Sequence, residues 1–151
     1  VDFHLSFEQT YGIVEGDSAS VAEIICILSA LSKKGISQNI AVTGSINQFG
    51  DVQPIGGVNE KIEGFFKVCN MLDNIDGKGV LIPEGNKDEI ILKSEVEKAI
   101  EEGKFHIYTM STLNDAIEML LLEGEDDIDS FYGKLQNELE KYKKKPKEIK
   151  S

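Results

Sequence analysis

The sequence predicts one α/β or α+β domain of mixed sheets with buried central helices. Two observations carry this reading. Short apolar stretches of strand character alternate with longer stretches of helical periodicity along most of the chain. Residues 20–31 also carry apolar side chains nearly all round a helix, the pattern of a helix sunk in a core.

Taken in order, Val1, Phe3, Leu5 and Phe7 alternate with Asp2, His4, Ser6 and Glu8, which reads as a half-buried strand that residues 11–14 extend to a turn at Gly16. In the helix that follows, Val21, Ile24, Ile25, Leu28 and Leu31 recur at helical spacing, while Ala22, Cys26, Ile27 and Ala30 fill other faces. Ser20-Val21-Ala22-Glu23 has the form of a capping box, so Ser20 is expected to cap the first turn. Residues 40–43 form a short apolar strand, and residues 44–50 with 52–55 suggest a hairpin. Gly56-Gly57 breaks it. A second helix then runs over 58–71 with Ile62, Phe65, Phe66 and Cys69 facing inward. Residues 79–83 are a buried strand closed by proline, followed by a helix near 94–102, a strand over 105–110 and a helix over 112–122. We therefore divide the chain into a domain over 1–122 and an extension over 123–151. The extension comprises an acidic break, an amphipathic helix with Phe131, Leu135 and Leu139, and a lysine-rich tail.

Composition limits the function. At 151 residues, 40% hydrophobic and 28% charged, the chain suits one soluble globular domain. The net charge of −11 argues against a nucleic-acid partner, which needs a basic surface to displace phosphate counterions. No run of 18 apolar residues offers a membrane span, and no signal peptide is visible. Cys26 and Cys69 lie in apolar helical stretches and are expected to be buried thiols of a reducing, cytoplasmic compartment. With neither CxxC nor a histidine cluster, no metal site is expected. The chain lacks a starting Met and begins inside an alternating pattern, so we expect a piece of a longer polypeptide.

The chemistry centres on Glu15-Gly16-Asp17-Ser18-Ala19-Ser20, which puts a hydroxyl between a glycine turn and a helix start. First-turn N–H groups there can hold a developing oxyanion. Serine needs a base to take its proton, and His4 and His106 are badly placed for that. A lysine can serve if neutral. Bringing an amine from its reference pKa of about 10.4 to near 7 or 8 requires roughly 4 kcal/mol of penalty on the charged form, which burial supplies. Lys61 begins a helix with Ile62 next and Phe65 and Phe66 one turn on, a candidate dry pocket at a helix end that disfavours cations. Taken singly, these residues have plainer readings: Asp17 or Ser18 as an N-cap, Lys61 as a solvated helix lysine, Thr43 as a β-branched strand residue.

Read together, the motifs resemble the proteolytic domain of Lon, the ATP-dependent serine protease, in its B-type variant. The resemblance runs through Ser6-Phe7-Glu8-Gln9, Gly16-Asp17-Ser18-Ala19-Ser20, Ala41-Val42-Thr43-Gly44-Ser45, Gly56-Gly57-Val58-Asn59-Glu60-Lys61, Val80-Leu81-Ile82-Pro83 and Phe105-His106-Ile107, covering about residues 1–122. It implies Ser18 as nucleophile, Lys61 as general base and Thr43 as the threonine that hydrogen-bonds the lysine. It also implies unfolded or damaged polypeptide substrates, bound by strand addition near Ser18, and a homo-oligomer built as a hexameric ring. Glu15 and Asp17 match acidic residues near the site; an acid paired with Lys61 at rest would hold it charged, and the alternative is that both are ordinary turn acids.

This chain departs from the family pattern in two ways. The family's proteolytic domain begins before this chain does, so its N-terminal strands are missing. No GxxxxGK[ST] occurs, so the chain has no cofactor of its own, and ATP with magnesium is implied for an ATPase module outside it. Two other readings are weighed: a Lon-like assembly or interaction module without chemistry, and a Ser–His–Asp hydrolase, which lacks a GxSxG elbow.

Overall fold

The computed structural model describes residues 18–122 and 127–141. Its centre is strand β4 (Lys78–Pro83), flanked by two parallel partners, β1 (Ile40–Val42) and β5 (Phe105–Met110), in the order β1-β4-β5. Val42 pairs with Leu81, and Leu81 with Tyr108. Alternation along β4 builds two cores, because successive side chains point to opposite faces of the sheet. Leu81 packs with Val21, Ile24 and Ile25 of α1 (Ser20–Ser32) and with Ala116 and Ile117 of α4 (Leu113–Ile117). Val80 and Ile82 pack with Val58, Ile62 and Phe66 of α2 (Val58–Met71) and with Val96 and Ala99 of α3 (Ser94–Glu101). Helices therefore cover both faces of the parallel sheet. That is why β4 reads as an unbroken apolar run rather than an alternating one.

A short antiparallel hairpin, β2 (Ser45–Ile46) with β3 (Val52–Gln53), forms a separate small sheet, so the sheets are mixed as expected. A 3₁₀ segment, Glu84–Glu89, follows β4 directly. The predicted helix over 112–122 starts on a full capping box between Thr112 and Asp115, then widens into a π turn at Glu118–Leu122. From that turn the Leu120 carbonyl accepts a hydrogen bond from the Ser37 amide at 2.8 Å. Helix α5 (Ile128–Lys141) buries Phe131 and Leu135 in the α1 core, with Leu139 packed beside them. Each such apolar side chain contributes about 1.5–3 kcal/mol of burial.

Three expectations are corrected. Ser20 does not cap α1: the N-cap is Ala19, without a side-chain hydrogen bond, and Ser20 lies inside the helix with its side chain turned to the hairpin. Cys26 is exposed, and only Cys69 is buried. Helix α1 is consequently not buried all round, since Ala19, Cys26 and Ala30 form an open stripe at helical spacing. The predicted strand over 1–8, the turn at Gly16, residues 123–126 of the acidic break and residues 142–151 of the lysine-rich tail lie outside the described residues.

Candidate active site

Ser18 stands at the entrance to α1, and the turn after β1 fixes its backbone. The Gly44 amide donates to the Ser18 carbonyl at 2.9 Å, and the Val21 amide donates to the Gly44 carbonyl at 3.1 Å. Ser20 adds a side-chain tie, its hydroxyl accepting from the Ile46 amide at 3.0 Å and donating to the Gly44 carbonyl at 3.4 Å. A side chain at Gly44 would crowd its neighbours: a Cβ there would lie 2.7 Å from Met110 Cε, the tip of a flexible side chain that would have to shift, and 3.2 Å from Val21 Cγ2 and Val52 Cγ1. The helix start is thus braced against the sheet. One expected oxyanion donor, the Val21 amide, is already given to Gly44.

Thr43 follows β1 and extends its ladder, its amide donating to the Leu81 carbonyl at 3.1 Å. Its side chain is 7% exposed and joins the two halves of the site. The hydroxyl donates to the Ser18 carbonyl at 3.4 Å and accepts from Lys61 Nζ at 3.4 Å. Both are long bonds.

Lys61 lies in the first turn of α2, whose N-cap is Gly57 at φ 70°, a left-handed conformation natural to glycine. The Lys61 amide closes that turn on the Gly57 carbonyl at 3.1 Å. The amine was expected to sit dry among Ile62, Phe65 and Phe66. Instead Ile62 and Phe66 turn into the second core at 0% and 4% exposure, while Lys61 is exposed on another face of the helix. Adjacent helical positions diverge by about 100°, so an apolar neighbour in sequence is not a neighbour in space. What surrounds the amine is a cleft of about 250 Å³ lined by Ser18, Ala19, Ala22, Ala41, Val42, Thr43, Lys61 and Val80. Three residues singled out from sequence, from three separate elements, therefore share one opening whose other walls are small and apolar.

Glu15 and Asp17, and His4, lie outside the described residues. His106 is on β5, half-buried, its ring 5.8 Å from that of Tyr108, and it does not line the cleft. Cys69 is no rival nucleophile: burial raises its thiol pKa, which keeps it protonated, and Lys78 offsets this only in part. Sequence reasoning missed the brace by Ser20, the space limit at Gly44 and the cleft walls Ala22 and Val80. Their only signals were residue types common in helices and strands. No helix among the described residues is long and apolar enough to cross a membrane.

The chain is similar to known proteins over most of its length. Residues 2–123 match the family model described as the Lon protease (S16) C-terminal proteolytic domain. A Lon protease homolog of Escherichia coli K12 is 50% identical over 117 residues, 78% of this chain and 20% of the relative. A homolog from Haemophilus influenzae is 43% identical over 125 residues, 83% of this chain and 20% of the relative. The archaeal Lon protease of Archaeoglobus fulgidus is 35% identical over 125 residues, 83% of this chain and 18% of the relative. The chain spans about a fifth of the length of these relatives.

Proposed function

The chain belongs to the Lon protease family, as its C-terminal proteolytic domain, and from that premise we propose that it cleaves peptide bonds through a Ser18–Lys61 dyad. The observation that carries the reading is the meeting of Ser18, Thr43 and Lys61 at one cleft, with Thr43 bonded to both neighbours. Ser18 Oγ attacks the scissile carbonyl carbon as its proton passes to the neutral Lys61 amine. The tetrahedral oxyanion collapses, the C–N bond breaks, and the lysine ammonium returns its proton to the leaving amine. Water, deprotonated by the same amine, then releases the acyl group from Ser18. Thr43 holds the amine on line, and small apolar residues wall the cleft that the reacting pair shares.

The substrates on this reading are unfolded or damaged polypeptides, and the working form is a cytoplasmic hexameric ring. ATP and magnesium belong to an ATPase module outside this chain, which has no phosphate loop of its own. The test is cleavage of a fluorescently labelled unfolded polypeptide by the full-length protein that carries this chain. Ser18→Ala and Lys61→Ala should each lower the rate on the order of 10³-fold or more, since members of a catalytic unit fail together. Wild-type rates in either variant overturn the dyad.

The exposure of Lys61 favours one second reading, a Lon-type assembly module that keeps the fold without the chemistry, because the dyad calls for a desolvated amine and this lysine is exposed. A full-length protein that cleaves nothing, and whose Ser18 never reacts with a fluorophosphonate, is the outcome that reading requires.

A further inference from the structure

We propose that Asn86, seconded by Asn59, is the positioning residue that sets the reach of Lys61 to Thr43. The inference rests on the Ser18–Lys61 reading above and adds to it the part of the molecule that makes the lysine's placement reproducible.

The lysine's helix has a weak entry. Between Ile55 and α2 lie Gly56 and Gly57, the second at positive φ, and two consecutive glycines leave the backbone free to take many conformations. Something outside must fix where the first turn begins. Asn86 does this from the 3₁₀ segment after β4. It is fully buried, at 0% exposure, and its amide makes three hydrogen bonds. Its Oδ1 accepts from the Ile55 amide at 3.0 Å, and its Nδ2 donates to the Ile55 carbonyl at 2.9 Å and to Glu89 Oε2 at 3.0 Å. The side chain thus clasps both backbone groups of one residue as a neighbouring strand would, and the opposite amide orientation would set donor against donor. The two segments lie flush: a Cβ at Gly85 would come within 2.5 Å of Pro54 Cγ. Asn59, in the first turn of α2, repeats the connection. Its Nδ2 donates to the Glu89 carbonyl at 3.0 Å, and its Oδ1 accepts from the Ile91 amide at 2.9 Å.

These ties have a common origin. Strand β4 holds Thr43 through the Leu81 carbonyl, and the segment continuing from the same strand holds Ile55 and Asn59. Both ends of the Lys61–Thr43 contact are therefore referred to one element, with four residues between Leu81 and Asn86.

The test uses the full chain and a fluorophosphonate probe, with kinact and KI measured for wild type, Asn86→Asp, Asn59→Ala and Lys61→Ala, and the melting temperature of each. Asn86→Asp keeps the acceptor for Ile55 N–H but loses the donors and faces Glu89 with like charge. Loose placement of a reacting group costs up to about 100-fold, so kinact should fall about 10- to 100-fold with KI unchanged. In the Lys61→Ala background the same substitution should cost nothing further, because it acts through the lysine. Should Asn86→Asp unfold, Asn59→Ala carries the same comparison with a several-fold effect. A wild-type kinact, or a loss that persists undiminished without Lys61, overturns the positioning role and leaves the dyad standing. Wild-type labelling of Lys61→Ala itself overturns the dyad and this proposal with it.

Discussion

Replacing Thr43 by valine removes one hydroxyl and little volume, so it isolates the joint between the two halves of the site. That hydroxyl accepts from Lys61 Nζ at 3.4 Å and donates to the Ser18 carbonyl at 3.4 Å. A net hydrogen bond of ordinary quality is worth about 1 kcal/mol, with a range of about 0.5–1.5. Both bonds here are long, so the lower half of that range applies to each. The Ser18 carbonyl keeps the Gly44 amide at 2.9 Å, so it is not left unpaired, and folding stability should fall by about 1 kcal/mol or less. The lysine loses the hydroxyl that orients it, and that loss acts on the transition state. A loss of about 1–1.4 kcal/mol there corresponds to about 5- to 10-fold in rate. The assay is the second-order rate of fluorophosphonate labelling at Ser18, with thermal melting as the control for folding. Thr43→Ser, which restores the hydroxyl without the methyl, should label at close to the wild-type rate while melting slightly earlier. The reverse order, Thr43→Val at full rate and Thr43→Ser slow, refutes the idea that the hydroxyl rather than the methyl matters.

Other perturbations follow from the same structure. Gly44→Ala forces a methyl to within 2.7 Å of Met110 Cε and should cost about 1–3 kcal/mol, read as a lowered melting temperature; an unchanged melt means the brace beneath Ser18 has slack. His106→Ala should leave Ser18 labelling as it is, and a large loss would restore a histidine base to contention. Asp17→Asn should change the pH profile of cleavage if that acid pairs with Lys61 at rest, whereas equal rates across pH remove it from the mechanism. Glu138 is held below the usual carboxylate range, first by its hydrogen bond from Lys141 and also by Lys33 at 3.6 Å. With the folded pKa depressed, its support for α5 is present above the unfolded value of about 4.3 and disappears as the pH falls through the folded one. Glu138→Gln should therefore flatten acid unfolding monitored by circular dichroism, and an acid limb identical to wild type would show that the pair contributes nothing.

The parts of the fold legible from sequence are those with a strong local cause. β4 is an apolar run stopped by Pro83, β5 runs from Phe105 to Met110 as expected, and α3 needs only Val96 and Ala99 on one face. The three residues that line one cleft, Ser18, Thr43 and Lys61, could be picked out through several short motifs in order. The geometry that joins them could not. Ser20-Val21-Ala22-Glu23 reads the same whether the serine caps a helix or ties the helix to a hairpin, and only Gly44 and Ile46, more than 20 positions away, decide between them. Lys61 sits beside Ile62 in sequence and away from it on the helix, so apolar neighbours could not tell which way the amine points. Asn86 gave no signal at all, because its partner Ile55 is 31 positions distant and is held by backbone atoms that every residue has.

The most direct measurement is peptide mapping by mass spectrometry after fluorophosphonate treatment of the assembled full-length protein, with Lys61→Ala alongside. Rapid covalent addition at Ser18 in the first, and addition slower on the order of 10³-fold in the second, is the predicted pair of results. Equal modification of both, or modification of neither, contradicts a serine made nucleophilic by this lysine.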